Sequence, residues 1–171
     1  LRDAFNRLAQ EGFVEIKPRS GTFVKVPNLK DAIEIYDLRK GIERVSVSLA
    51  IDRIPRAVLE ELLELTYDVE KIFLEKGDIE PFLQSDWKIH QTIAKYSGNS
   101  RVLNILESLN AQNRWLAHII IERIKVRTLD GIKGHKAILE AMLKSDVKLA
   151  MELMEEHIET VKSCAIEDFS K

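Results

Sequence analysis

Apolar residues recur every three to four positions along most of this chain, which is the spacing of one face of an α-helix. From residue 29 onward the pattern is broken mainly at Pro55, Gly77-Asp78, Gly98-Asn99 and Ser145-Asp146, residues typical of helix ends. It predicts six helices, over 29–51, 56–75, 78–96, 100–126, 130–144 and 146–169, with residues 128–131 open between a loop and a fraying helix end. Because the breaks are short, consecutive helices must run antiparallel. The sequence therefore predicts a mainly α fold, an antiparallel bundle of about six helices.

The first 27 residues follow a different pattern. Helical spacing over residues 1–11 is followed by two β-branched and aromatic runs, 13–17 and 22–26, which flank the turn residues Pro18-Arg19-Ser20-Gly21. This order predicts a helix and then a β-hairpin with a basic tip. Asn28 is expected to cap the first bundle helix, with Asp31 completing a capping box. We therefore expect two parts, a small head over 1–27 and a helical domain over 28–171.

Composition narrows the class of protein. No apolar run approaches the ~18–20 residues that a membrane span requires, and the single Cys164 suits a reducing cytoplasm. The net charge of −2 argues against a chain that clamps nucleic acid along its whole length. Residues 1–30 nevertheless hold six Lys or Arg against three acids, and the rest of the chain is acidic. A basic head on an acidic body indicates two parts with different partners.

Four polar residues fall on otherwise apolar helix faces. Asp86 and His90 are one helical turn apart and share their face with apolar residues, and His135 and His157 lie on apolar stripes of the last two helices. His135 is about ten residues before the break at Ser145-Asp146 and His157 about eleven after it, so an antiparallel hairpin brings the two imidazoles level. Inward-facing ligands on several helices are how metal sites in bundle cores are built.

The residue types leave two interpretations of these positions open. Imidazoles with a carboxylate suit a divalent transition metal, whereas a histidine on an apolar face is more often a hydrogen-bonded core residue. Arg39, also on an apolar stripe, has a similar pair of interpretations: an internal salt bridge, or a clamp that grips a carboxylate with its guanidinium fork. His118 is interpreted as structural or as a surface residue.

Several segments together resemble the GntR family of bacterial transcription regulators, in the FadR-type subfamily with a C-terminal FCD effector-binding domain. In the head these are Leu1–Ala4 through Arg7-Leu8, Glu11–Val14 and Ser20–Val24, which are similar to the second half of a winged helix-turn-helix. In the body they are Arg39 with Glu43, Asp86-x-x-x-His90, Ser97-Gly98-Asn99, Gly134-His135 and Glu156-His157.

The resemblance implies a homodimer that binds operator DNA and responds to a small carboxylate metabolite in the helical domain. Asp86, His90, His135 and His157 match metal-ligand positions of metal-binding members, with Zn, Ni or Mn as the expected ion. Arg39 matches an effector-facing position, and Asn99 is either a helix cap or a pocket residue.

In the head, Arg2, Arg7, Arg19, Ser20 and Gly21 are the expected DNA contacts, against the alternative of a solvated basic surface. The resemblance implies that residues 1–27 are the second part of a winged domain, and we expect DNA binding to require the helices that precede them in that family. The hinge at Pro27-Asn28 and the first bundle helix are expected to link effector to DNA.

Two other functions are compatible with the pattern. A metal-dependent hydrolase would require a general base beside the metal ligands, and no pairing of the HExxH kind is present. A structural dimerisation module would need neither metal nor effector.

Overall fold

A computed structural model describes residues 1–120 and 125–170. Within these ranges the chain forms seven helices and one two-stranded sheet. The elements in chain order are α1 (Arg2–Gln10), β1 (Val14–Lys17), β2 (Gly21–Val24), α2 (Leu29–Ala50), α3 (Arg56–Lys76), α4 (Glu80–Tyr96), α5 (Ser100–Ile119), α6 (Thr128–Leu143) and α7 (Val147–Phe169).

The predicted helical bundle with a helix-plus-hairpin head is confirmed. Five of the six predicted bundle helices agree with the structure to within two residues at each end. The helix predicted over 100–126 ends at Ile119, and its residues 121–124 lie outside the described ranges. The open question at 128–131 is answered as helix, since these residues form the first turn of α6.

Helix α2 is the central element of the bundle. It packs most extensively on α7 and also contacts α4 and α5, while α6 packs on α3 and α7. Its buried face repeats at helical spacing and combines apolar residues with charged ones: Ala32, Tyr36, Arg39, Glu43, Ser46, Val47 and Ala50. The surrounding core is aliphatic, and each fully buried Leu, Ile or Met in it contributes about 1.5–3 kcal/mol to stability. Helix α2 thus holds two charged residues, Arg39 and Glu43, inside an apolar core.

The head is a short helix and a hairpin that rest on the body. Strands β1 and β2 pair antiparallel with Val14 opposite Val24, and Arg19 and Gly21 at the tip both have positive φ. The Phe13 ring lies 5.4 Å from that of Trp115 on α5, centroid to centroid. The side-chain amide of Gln112, also on α5, donates a hydrogen bond to the backbone carbonyl of Glu11. The head therefore contacts the bundle mainly through α5.

The junction between head and body is a capping box, as expected. The Asn28 side chain accepts a hydrogen bond from the Asp31 backbone N–H at 3.1 Å, and the Asp31 carboxylate accepts one from the Asn28 N–H at 3.0 Å. The Lys25 ammonium lies 2.8 Å from the same Asp31 carboxylate. These contacts set where α2 begins, and the domain boundary at 27/28 stays a prediction. Among the described helices, none has the length and apolar character needed to cross a membrane.

We expect Asn28→Ala to lower the free energy of unfolding by about 1 kcal/mol, because the substitution leaves a helix N-terminal N–H without its cap. Urea denaturation followed by circular dichroism measures the change. The matched control is Asn104→Ala, at an exposed position inside α5, where alanine should be neutral or slightly stabilising. Equal stability of the two variants would contradict the role assigned to the cap.

Candidate metal centre

Three helices bring the four predicted ligands to one point in the interior. Asp86 and His90 come from α4, His135 from α6 and His157 from α7. The Asp86 Oδ1 atom lies 3.3 Å from His135 Nε2, 3.5 Å from His90 Nε2 and 3.7 Å from His157 Nε2. One ligating atom from each residue lies within 4.8 Å of every other. The juxtaposition expected from the helical-hairpin count is therefore present.

Local structure explains why these side chains meet. The chain reverses between α6 and α7 at Ser145, which has a φ of 56°, and the His135 and His157 rings end up 4.4 Å apart between centroids. Gly134 makes room for this contact, because a Cβ at that position would lie 2.8 Å from His157 Nδ1. The Phe82 ring packs against the His135 ring, with 5.8 Å between the ring centroids.

The arrangement fits a metal ion. Ligand atoms held about 2.1 Å from one ion at tetrahedral angles lie about 3.4 Å apart, and the spacings from Asp86 are 3.3 to 3.7 Å. The His90 and His135 Nε2 atoms face each other at 3.4 Å. The buried His157 Nε2 has no hydrogen-bond partner among the described residues. A cation at the common point would give His157 Nε2 the partner that it lacks.

A second carboxylate, Glu43 on α2, orients one of the imidazoles. It is 1% exposed, it forms an ion pair with His90 Nδ1, and it accepts a hydrogen bond from Arg39 Nε at 2.7 Å. A carboxylate on the far nitrogen fixes the tautomer of a metal-binding histidine, here leaving His90 Nε2 to face the cluster. The sequence analysis named Glu43 only as part of the motif with Arg39 and did not predict its contact with His90. The signal for that role was its place on the buried stripe, one turn after Arg39.

The three histidines have different pKa values because their neighbours differ. Burial by itself lowers the pKa of His90, but the charges of Glu43 and Asp86 outweigh burial and raise it to about 9. Burial lowers the pKa of His157 to about 4, and it also lowers the pKa of His135. Near neutral pH, and without a metal, His90 is the protonated member of the three.

The two carboxylates stay ionised despite burial. Burial raises the pKa of Glu43, but the nearby Arg39 and His90 lower it to about 2, and His90 with the other imidazoles holds the pKa of Asp86 well below its usual range. The metal-free interior thus holds two positive groups, Arg39 and His90, against two negative ones. This balance allows three buried charged side chains, Arg39, Glu43 and His90, to lie together beside the partly exposed Asp86.

Arg39 faces a cavity as well as its salt bridge. The side chain is 4% exposed, and its Nη1 donates to the Asn113 amide oxygen at 2.8 Å. A cavity of about 50 Å³ lies beside Arg39 and is lined also by Tyr36, Asp86 and His157. Both sequence interpretations of Arg39 are therefore compatible with its position, since it forms the internal pair with Glu43 and also borders open space.

A wider cleft adjoins this cavity and leads outward between α4 and α5. It has a volume of about 250 Å³ and shares Asp86 and Asn113 with the cavity. Its lining includes Arg114 and His118, both exposed, which agrees with the surface alternative for His118. Asp86 thus borders both the inner cavity and the outer cleft.

The structure places Asn99 away from this site. Its exposed side chain caps α5 by accepting hydrogen bonds from the backbone N–H groups of Arg101 and Val102. It lines neither of the two cavities next to Asp86. Of the two roles expected for Asn99, the helix cap is observed, and effector binding by Asn99 stays a prediction.

The predicted DNA-contacting residues all lie on the exposed surface of the head: Arg2, Arg7, Arg19, Ser20 and Gly21. The Arg7 guanidinium pairs with Glu11 at 2.7 Å on the solvent side of α1. Contact of these residues with DNA stays a prediction.

Comparison with known proteins gives a consistent result. The family model described as the FCD domain matches residues 34–160. Curated relatives are helix-turn-helix transcriptional regulators. YdhC of Bacillus subtilis is 24% identical over 170 residues, which cover 99% of this chain and 70% of that protein.

Two solved structures show the same fold. McbR/YncC of E. coli superposes with a TM-score of 0.84 at 21% identity, over 98% of this chain and 83% of that one. A Zn²⁺-bound FCD domain of a transcriptional regulator superposes with a TM-score of 0.67 at 24% identity, over 84% of this chain and 96% of that one.

We expect Gly134→Ala to lower Zn²⁺ affinity by at least about tenfold, since the new Cβ would displace the His157 ring, and loss of supporting geometry costs about 10–100-fold in metal affinity. Competition with a chromophoric chelator measures the affinity. Gly41→Ala is the control, because that helical glycine has open space around its Cβ position. It should bind Zn²⁺ normally and gain up to about 1 kcal/mol in stability. Wild-type affinity in Gly134→Ala would contradict this account of the site.

Proposed function

The chain belongs to the FCD domain family of GntR-type transcription regulators, and from this premise we propose that its helical body senses a small carboxylate through a bound divalent metal ion. Asp86, His90, His135 and His157 would hold the ion, with Zn, Ni or Mn as candidates. The observation that carries the proposal is the position of this cluster beside the cavity that Arg39 lines. When bound, the metal would act as a Lewis acid that attracts an anionic oxygen.

The charges of the interior explain why an anion would be bound. Without metal, the positive Arg39 and His90 balance the negative Glu43 and Asp86. A divalent ion requires His90 to give up its Nε2 proton, because only the neutral imidazole is a ligand. The interior then carries one net positive charge, which is costly to bury unless an anion compensates it. A monocarboxylate supplies one negative charge.

Arg39 is suited to position that carboxylate. Its guanidinium is held from two sides, by Glu43 at Nε and by Asn113 at Nη1, so little rotamer freedom is left to lose on binding. A planar guanidinium also matches the geometry of a carboxylate better than an ammonium does.

Helix α5 connects the cavity with the head. Asn113 holds Arg39, and the preceding residue, Gln112, binds the head at the Glu11 carbonyl. Trp115, less than one turn further, contacts Phe13. A ligand that moves Arg39 would therefore act on the same short segment that holds the head. We propose that α5, α2 and the hinge at Pro27-Asn28 together transmit ligand binding in the cavity to the head.

The proposal that this protein binds DNA is based on its relatives, which are transcriptional regulators. We propose a homodimer whose heads bind operator DNA, with the exposed basic residues of α1 and the hairpin tip on the phosphates and groove. A head over residues 1–27, a sensor over 28–171 and a cytoplasmic location belong to the same proposal. The hydrolase and the purely structural module are not proposed, because no observation favours either.

We expect the Zn²⁺-loaded protein to bind acetate or propionate, and the chelator-stripped protein to bind them at least about tenfold more weakly, because only the loaded interior has a positive charge to compensate. Isothermal titration calorimetry measures both states. His157→Ala should lose the metal and the acid together, whereas His118→Ala should retain both. Equal acid binding with and without Zn²⁺ would contradict a metal-dependent sensor.

We expect carboxylate binding to change the fluorescence of Trp115, because α5 carries both this residue and Asn113. The chain contains two tryptophans, so Trp87→Phe leaves Trp115 as the reporter. Adding Asn113→Ala should abolish the change while leaving Zn²⁺ binding intact. An unaltered Trp115 emission at an acid concentration that saturates the protein by calorimetry would exclude α5 as the connection. A gel shift of the full-length protein with and without the acid then tests the effect on DNA.

A further inference from the structure

A cavity of about 280 Å³ lies where the head meets the bundle, and we call it the joint cavity. The head contributes Gly12 and Lys25 to its wall, and the bundle contributes residues of α2 and α5. Of the described residues, none lines both the joint cavity and either of the two cavities next to Asp86. The joint cavity is therefore separate from the candidate metal centre, and the proposed function does not use it.

Two contacts between the head and the bundle enclose the joint cavity. On the side of α2, the Lys25 ammonium lies 2.8 Å from the Asp31 carboxylate. On the side of α5, the Gln112 amide donates its hydrogen bond to the Glu11 carbonyl. Lys25, Asp31 and Gln112 all line the cavity. A molecule bound there would therefore touch the same side chains that hold the head in place.

Most of the wall of the joint cavity is apolar. Helix α2 supplies Ile35 and Leu38, and helix α5 supplies Leu109, Trp115 and Leu116. Leu38 is 46% exposed, so a ligand with an apolar body would remove apolar surface from water. The Trp115 indole adds an aromatic face to this wall.

The charged residues of the wall favour a cation. They are one base and two acids, namely Lys25, Asp31 and Glu34. Lys25 and Asp31 compensate each other through their ion pair. Glu34 has its own partner, Lys30, at 3.6 Å on the exposed surface of α2, where water screening makes such pairs weak. A ligand cation at Glu34 would also gain from the indole in the same wall, since aromatic faces attract cations.

The volume of the joint cavity limits the ligand to a small molecule. Cavities that bind drug-sized compounds measure about 300–1,000 Å³, and this one lies just below that range. An aromatic ring with a short ammonium side chain satisfies the volume, the apolar wall and the negative charge together.

We propose that the joint cavity is a second ligand site, which binds a small organic ammonium ion with an aromatic or branched apolar body. The ammonium lies at Glu34, and the apolar body lies against Leu38 and Trp115. Because the ligand touches the head and the bundle at once, it binds most tightly to the arrangement of these two parts that closes around it. The head then responds to a cation independently of the metal ion and the carboxylate.

The test compares two probes of similar size that differ in charge, phenethylammonium and 2-phenylethanol. Both are titrated into the wild type by isothermal titration calorimetry. We expect the ammonium ion to bind with a Kd of about 1 mM or below, as for other small ligands in apolar sites. The alcohol should bind about fivefold more weakly, because it lacks the attraction to Glu34 and to the indole.

Two pairs of variants locate the probes. Glu34→Gln should lower the ammonium-to-alcohol affinity ratio at least about threefold, whereas Glu64→Gln, at an exposed position of α3 with the same change of charge, should keep the wild-type ratio. Leu38→Ala should weaken both probes about threefold and leave their ratio unchanged, because it removes apolar wall and no charge. Leu74→Ala is its control, since Leu74 is 66% exposed and lies outside the joint cavity.

Several results would overturn this inference. Absence of saturable binding of phenethylammonium at about 10 mM would refute the site itself. Equal affinity of the two probes in the wild type, or an unchanged ratio in Glu34→Gln, would refute the preference for a cation. Wild-type affinities in Leu38→Ala would place the probes elsewhere on the protein.

The dependence on metal separates this inference from the proposed function. We expect the Zn²⁺-loaded and the chelator-stripped protein to bind phenethylammonium equally, because the joint cavity shares no lining residue with the candidate metal centre among the described residues. Loss of phenethylammonium binding on removal of Zn²⁺ would contradict a separate site. Failure of the protein to bind acetate or propionate would refute the metal-dependent sensor and leave this inference standing.

Discussion

A row of paired charges through the middle of the bundle is the feature on which the rest of this structure depends. The Arg39 guanidinium pairs with Glu43, Glu43 holds His90, and His90 faces Asp86. Removing one partner from such a buried row costs about 3–5 kcal/mol, because the remaining charge is left without compensation. The helices that supply these residues, α2 and α4, must therefore keep their relative register.

Glu43 in this row and Gly134 on α6 together set the positions of the histidine rings. Glu43 fixes the orientation of the His90 ring, so packing alone would organise the cluster for the proposed ion. The glycine at position 134 serves the same end by sterics, since it lets the His157 ring approach α6 closely. An arrangement made ready by packing loses little entropy on binding, which favours a tight and specific site.

Helix α5 contacts both the cavity inside the bundle and the head. One face of it reaches the cavity through Asn113, and neighbouring residues hold α1 and the hairpin through Gln112 and Trp115. Because the head has little buried surface of its own, its position depends on this contact and on the Asn28–Asp31 cap. In the proposed regulator, a small movement of this helix would change the position of the head.

The sequence by itself determined the helices, the head and the placing of the four candidate ligands on inner helix faces, because helical spacing and cap residues are local properties. The separation of His135 and His157 from one turn even predicted their meeting, since an antiparallel hairpin has a fixed rise per residue. Only the tertiary structure decided which side chains share an environment. It paired Glu43 with His90, placed Asn99 as a cap and buried the Tyr36 side chain beside the cavity. These relations depend on how α2, α4 and α6 pack against each other, and the spacing of residues along one helix does not contain that information.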